Sequence, residues 1–278
     1  MRAKPPSRSG SLRPPAVAGA FYPAEPNRLR QSVDAYLGLA DVSLDQVPKA
    51  VIAPHAGYMY SGPIAGSAFV PLRQKNEIKR VVLLGPSHRV AFSGLALSGA
   101  TGFESPLGVV PVDQEAGPKL NALPQVRVFD AAHANEHALE VELPFLQQVL
   151  GSFALVPLVV GDARDQEVGE VVDLLWGGPE TLFVISSDLS HFHDYATAQI
   201  LDAQTARAIE RLEPEAIGVE HACGRIPIRG LLWAARKRRL QARTLDVRNS
   251  GDTAGSRESV VGYGAFAFAG KPVEGAGG

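Results

Sequence analysis

Thr181-Leu182-Phe183-Val184-Ile185-Ser186-Ser187-Asp188-Leu189-Ser190-His191 is the stretch on which the reading of this chain turns. Leu182 to Ile185 is a continuous run of β-branched, aromatic and aliphatic side chains, too short for an independent helix. Such a run suits a strand covered on both faces, the environment of a parallel sheet. It then breaks into hydroxyl, carboxyl and imidazole groups. The same design occurs twice upstream. Ala50-Val51-Ile52-Ala53 runs into Pro54-His55-Ala56-Gly57-Tyr58, and Arg80-Val81-Val82-Leu83-Leu84 runs into Gly85-Pro86-Ser87-His88.

Outward from these three runs, residues 95–98, Ala154–Val160, 242–247 and 260–268 read as further strands. Residues 61–70, 165–176, 196–212 and 228–240 read as helices, the last starting just after Pro227. Leu139, Leu143, Leu146 and Leu150 are spaced 4, 3 and 4 apart, one face of an amphipathic helix over residues 136–150, which Pro144 must kink or restart. Strands alternating with helices predict an α/β fold, a single domain over residues 14–269 with a central, mostly parallel or mixed sheet flanked by helices. Residues 1–13, with Pro5, Pro6, Pro14 and Pro15 in and beside a cationic stretch, read as a disordered tail, and Gly-rich residues 270–278 as another.

The 278 residues are 45% hydrophobic and 20% charged, ordinary values for a globular chain with a sizeable core. A net charge of −2 gives no global pull toward nucleic acid, and no apolar run reaches the ~18 residues of a membrane span. The lone cysteine, Cys223, forbids an intrachain disulfide and fits a cytoplasmic protein.

In open α/β sheets ligands gather outside the carboxyl ends of the strands. If the three strands are parallel, His55, His88, Asp188 and His191 converge on one rim. Neutral imidazoles are common ligands of iron, zinc and copper, and two of them with one anionic ligand leave coordination positions open. For the third ligand, Asp188, Glu136, Glu140 and Cys223 are the candidates. Cys223 precedes a helix and lies near arginines, a setting that lowers a thiol pKa; the other reading is a buried, inert thiol. Asp188 and His191, three apart, are close enough in a turn to touch, so Asp188 is expected to fix the His191 tautomer or to line the pocket. A rival lies in His133-Ala134-Asn135-Glu136-His137, which fits the inverted zinc-peptidase pattern if helical. A milder reading makes His137 and Glu140 partners lining the same pocket. Arg89 replaces the second glycine of a nucleophile elbow, and no phosphate-binding glycine loop follows a strand.

Seven motifs in this order resemble the Memo family: Val17-Ala18-Gly19-Ala20-Phe21-Tyr22-Pro23, Ala53-Pro54-His55-Ala56-Gly57-Tyr58, Leu84-Gly85-Pro86-Ser87-His88, Glu136-His137 with Glu142-Leu143-Pro144-Phe145, Val184 to His191, Cys223-Gly224-Arg225-Ile226-Pro227-Ile228, and Asn249 to Gly255. The last looks like the prokaryotic branch called AmmeMemoRadiSam system protein B, which implies AMMECR-type and radical SAM protein partners. The Memo family is similar in fold to class III extradiol dioxygenases, non-heme iron(II) enzymes with two histidines and a glutamate on the metal. The resemblance implies a metal held by His55, His88 and Cys223, iron(II) first with copper or zinc as substitutes, and His191 as acid/base. It thus implies a metal-binding, dioxygenase-like redox protein acting on an unidentified small molecule. The alternative is a metal-binding scaffold without turnover. Ile226 stands where some members carry histidine, and a thiolate in place of the carboxylate argues against ring cleavage.

Overall fold

The alternating apolar runs become strands because each can bury both faces. The computed structural model describes residues 10–73 and 77–270. In chain order the first elements are strand β1 (Leu12–Arg13), helix α1 (Pro26–Leu39), β2 (Ala50–Ala53), α2 (Tyr58–Phe69), β3 (Arg80–Pro86) and β4 (Leu95–Leu97). Then follow β5 (Gly102–Ser105), β6 (Gly108–Pro111), α3 (Ala116–Leu120), β7 (Val126–Val128), α4 (Ala131–Ala134), α5 (Leu143–Leu150) and β8 (Ala154–Val160). The chain closes with α6 (Asp165–Leu174), β9 (Thr181–Ser186), β10 (His191–His193), α7 (Tyr195–Glu210), α8 (Arg225–Arg238), β11 (Gln241–Asn249) and β12 (Val260–Ala269).

The main sheet runs β10-β12-β2-β9-β3-β8-β4-β7, with β11 also paired to β12. Its centre, β2-β9-β3-β8, is parallel, while β12 and β4 join it antiparallel, so the sheet is mixed. Alternate residues feed two cores. Val51, Val81, Leu83 and Val184 face α1, α2 and α5; Ile52, Val82, Leu84, Phe183 and Ile185 face α6 and α8. Helix α1 lies close on α2 because Gly66 has no side chain: a Cβ there would sit 2.4 Å from the Tyr36 carbonyl oxygen. Among the described residues no helix is long and apolar enough to cross a membrane.

Several expectations need correction. Leu12 and Arg13 are not tail: they form β1 in a small sheet with β5 and β6. Residues 1–9 and 271–278, the rest of the expected tails, lie outside the described residues. The helix expected over residues 136–150 is α5 alone, preceded by a 3-10 turn. Pro144 sits in the first turn of α5, where its missing N–H costs nothing, whereas a continuous helix would lose a hydrogen bond there. Helix α8 starts at Arg225, so Pro227 lies inside its first turn. Helix α1, built on Leu29, Val33 and Leu37 behind a Glu25 cap and Pro26, was not expected.

Arg13 shows why the N-terminal strand is ordered. Its side chain, 5% exposed, pairs with the fully buried Glu140 and donates to the carbonyls of Glu136 and His133. Glu140 also accepts from the Ala16 and Val17 amides and from the Tyr22 hydroxyl. Removing one member of such a pair strands the other charge in the interior. Arg13→Met should therefore cost ~3–5 kcal/mol, read by denaturant unfolding. A loss below ~1 kcal/mol, the range of exposed pairs, would mean the pair is not an anchor.

Candidate metal centre

Strands β2, β9 and β3 are parallel neighbours, so they present their carboxyl ends at one edge. His55 follows β2 by two residues, His88 follows β3 by two, and Ser187-Asp188 follow β9 directly. Cys223 arrives from the opposite direction, in the turn before α8. That turn docks closely: the Gly224 amide donates to Ser187 Oγ at 2.9 Å, and a Cβ on Gly224 would lie 2.6 Å from Ser187 Cβ.

The donor atoms of His55, His88 and Cys223 lie within 4.8 Å of one another, and Cys223 Sγ is 3.4 Å from His55 Nε2. With metal–ligand bonds of ~2.0–2.3 Å, one ion between them satisfies that spacing. Of the four residues expected to converge at this edge, His55 and His88 come together here, and Cys223 joins them. Each imidazole is turned by a partner on its other nitrogen. His88 Nδ1 is 2.9 Å from Glu136 Oε1, and its amide donates to Glu136 Oε2. His55 Nδ1 is 2.7 Å from Ser186 Oγ, and its amide donates to Asp188 Oδ1 at 2.8 Å. Ser186 Oγ also lies 2.6 Å from the Ala138 carbonyl and 2.7 Å from Glu142 Oε1. A hydroxyl has one proton. Given to the Ala138 carbonyl, which only accepts, it leaves the oxygen free for the His55 N–H and for a proton on Glu142. His55 Nε2 then carries a lone pair toward Cys223.

The electrostatics agree with a neutral-imidazole site. Burial first, and the neighbouring histidines second, hold the His55 pKa well below the ordinary value. Burial brings His137 down to about 4 and lowers His191. Burial alone would raise the Glu136 carboxyl, but its hydrogen bond and charge interaction with His88 and the Ala138 and His88 amides bring it down to about 2. Burial, with no cation nearby, pushes Glu142 well above the usual carboxylate range. Burial raises Asp188 to about 7 against the pull of the His55 and Ala56 amides.

For Cys223 the lowered thiol pKa is not found. Burial and the Asp188 charge push its thiol up to about 12, outweighing its hydrogen bonds with the Asp188 and Gly224 backbone and with Ser187. A cysteine held as a thiol beside His55, whose imidazole burial keeps neutral, suits a metal, which takes the place of the proton when it binds. Two imidazoles and a sulfur are a donor set that iron(II), zinc and copper accept.

Other expected roles are reassigned. Glu140 is spent on Arg13, Tyr22 and two amides, so it is neither a ligand candidate nor a pocket wall. His133 is 2% exposed, with Nε2 3.0 Å from the Ala96 carbonyl and its ring against Phe103. Helix α4 ends before Glu136, so His133 and His137 do not share a helix face, and the peptidase arrangement is absent. His88, Glu136 and His137 do cluster, but Glu136 Oε1 already faces His88 Nδ1 and accepts the His137 and Ala138 amides. The cluster orients His88. His191 Nδ1 faces the Leu189 carbonyl at 2.8 Å, so Leu189, not Asp188, sets its tautomer. Phe192 beside it has φ 62°, a left-handed turn that sends its own ring out, 77% exposed. Ser186 and Glu142 both stand inside motifs shared with the Memo family, but nothing in the sequence assigns either a role.

If Glu136 orients His88, Glu136→Gln should weaken divalent-metal affinity ~10–100-fold while the chain stays folded. A chelator-competition titration beside a thermal melt reads both. Unchanged affinity would sink the assignment.

The family pattern for Memo-like protein matches residues 13–267. A MEMO1 family protein of Sulfolobus acidocaldarius is 35% identical over 276 residues, covering 91% of this chain and 97% of its own. One of Methanopyrus kandleri is 36% identical over 279 residues, with 92% and 98% covered. One of Aquifex aeolicus is 34% identical over 264 residues, with 91% and 97% covered. The family pattern runs from the strand that carries Arg13 almost to the end of β12, through every motif that builds the edge described above. This chain belongs to the Memo family.

Proposed function

We propose that this protein is a mononuclear non-heme metalloprotein, with iron(II) in the cell, that carries out redox chemistry on a small molecule. The observation that carries the reading is the trio His55, His88 and Cys223, whose donor atoms lie within 4.8 Å while each imidazole is fixed from behind by a different group. Iron(II) held there would supply open coordination positions and a one-electron couple; copper and zinc are substitutes that the same ligands accept. The chain's own residues then have distinct tasks. Glu136 and Ser186 hold His88 and His55 in orientation. His191, with Nδ1 toward the Leu189 carbonyl, keeps Nε2 as a proton acceptor beside the histidine cluster. Asp188 ties the β9 end to the His55 and Ala56 amides, and its pKa of about 7 suits it to proton exchange near neutrality.

A second reading is a metal-holding scaffold that works with AMMECR-type and radical SAM proteins without turnover. It rests on the exposure of His88, whose side chain is 28% accessible, so that one ligand is reachable from outside.

Element analysis of anaerobically purified protein should find one metal ion per chain, lost in the His55→Ala, His88→Ala double variant. Full occupancy in that variant would overturn the ligand set. Reduced, iron(II)-loaded protein given catechol or protocatechuate under air should yield no ring-opened product, because a sulfur donor replaces the carboxylate of ring-cleaving sites. Turnover of ~1 s⁻¹ or faster would replace this reading with a plain dioxygenase. Once a substrate is known, His191→Ala should lower the rate ~10²–10⁴-fold with metal retained.

A further inference from the structure

A cavity of about 1080 Å³ opens beside the histidine cluster, between the loop entering α1, the start of α2 and the segment before β12. Its walls are aromatic, with Phe21, Tyr36 and Tyr60 along the sides. Its inner end holds His137, Asp188 and Tyr263. His137 stands between the cavity and the metal trio: its ring centroid is 5.4 Å from that of His55 and 4.8 Å from that of His88.

Asp188 and Tyr263 make this more than a gap. They are only 5% and 2% exposed, yet both line the cavity. Asp188 Oδ1 accepts the His55 and Ala56 amides, while Oδ2 has no partner among the described residues. The Tyr263 hydroxyl likewise makes no hydrogen bond among them, in contrast to Tyr22 and Tyr58, whose hydroxyls are spent on Glu140 and on the Val141 carbonyl. Nearly buried polar groups are almost always paired. Asp188 Oδ2 and the Tyr263 hydroxyl are not sealed in the core but open to the cavity, so an acceptor and a donor are both offered to a ligand there. Burial beside Asp188 keeps the Tyr263 phenol un-ionised, so it is a donor.

We propose that this cavity binds a planar, uncharged heteroaromatic molecule whose inner edge carries an N–H beside a C=O, as in a ring lactam. Asp188 Oδ2 accepts the N–H, Tyr263 donates to the C=O, and Phe21, Tyr36 and Tyr60 contact the ring faces. An anionic head is disfavoured, because the inner end offers a carboxyl and no lysine or arginine. A volume of about 1080 Å³ leaves room for more than one ring, and Arg28, Ser256 and Ser259 offer polar contacts for a tail. Binding requires no metal; only the identification of this ligand as the substrate rests on the function proposed above.

The test uses 2-quinolinone and N-methyl-2-quinolinone, followed by fluorescence titration of the full chain in the presence of a chelator. The first carries N–H and C=O; the second has lost the N–H. The expected result is that 2-quinolinone binds and the N-methyl analogue binds ~5–10-fold more weakly, the range of one neutral hydrogen bond. Tyr263→Phe should weaken 2-quinolinone by a similar factor, and Tyr195→Phe, on the exposed start of α7, should not. The role of Asp188 is read through the N-methyl analogue because mutating it would also release the His55 and Ala56 amides. Equal affinity for the two probes, no binding of either, undiminished binding by folded Tyr263→Phe, or 2-naphthoate binding as tightly as 2-quinolinone would each overturn the proposal. Metal titration of the same preparations keeps the readings apart. Probe binding that fails while metal binding survives removes the cavity assignment alone. Metal binding that fails while the probe binds removes the metal centre alone.

Discussion

Parallel pairing of β2, β9 and β3 is the constraint on which everything else depends. Parallel neighbours end at the same edge, so residues just past their ends are forced together however far apart they lie in the chain. The register is tight: Ala53 stands opposite Ser186, and the Ser187 amide donates to the Ala53 carbonyl at 2.8 Å. A slip of one residue would turn Val51 and Ile52 to the wrong cores and carry His55 away from Ser186. The helices on the two faces exist to bury those alternating residues, and in doing so they lock the edge.

Around that edge the protein treats its buried carboxyls differently, and the difference follows from what each one meets. Glu136 meets His88 and three backbone amides, so it stays ionised and directs His88. Glu142 meets one hydroxyl and no cation, so it is held neutral behind Ser186. Glu140 meets Arg13 and becomes an anchor for the N-terminal strand. Asp188 meets two amides on one oxygen only, and its pKa of about 7 lies between those extremes. The two imidazoles thus have unlike supports, a carboxylate behind His88 and a hydroxyl backed by a neutral acid behind His55.

The N-terminal segment connects stability to the site. Arg13 and Tyr22 both hold Glu140, and the chain between them leads to Phe21, which forms a cavity wall and accepts the Tyr58 amide at the start of α2. The Phe21 ring packs edge-on against His137 at 4.9 Å. Loosening the Arg13 anchor would therefore be felt at the cavity as well as in the core.

The sequence by itself determined the alternating architecture and the positions that reach the edge. Short continuous apolar runs rich in β-branched residues suit strands covered on both faces, and the polar residues that end them are legible at once as His55, His88 and Asp188. Family motifs added Cys223, whose place beside the others no spacing reveals. Short elements escaped. Leu12–Arg13 is ordered by a partner 127 positions away, so its local composition says only tail. The segment from Glu136 to Glu142 has helical periodicity but is bent by what its carboxyls bind. Only the tertiary structure decided the partners: that Glu136 faces His88 Nδ1, that Leu189 and not Asp188 faces His191 Nδ1, that His133 turns to the Ala96 carbonyl, and that the Cys223 thiol is raised. The physical reason is common to all four. Hydrogen-bond partners and desolvation are set by groups brought close in space from distant parts of the chain, and periodicity along the chain carries no record of them.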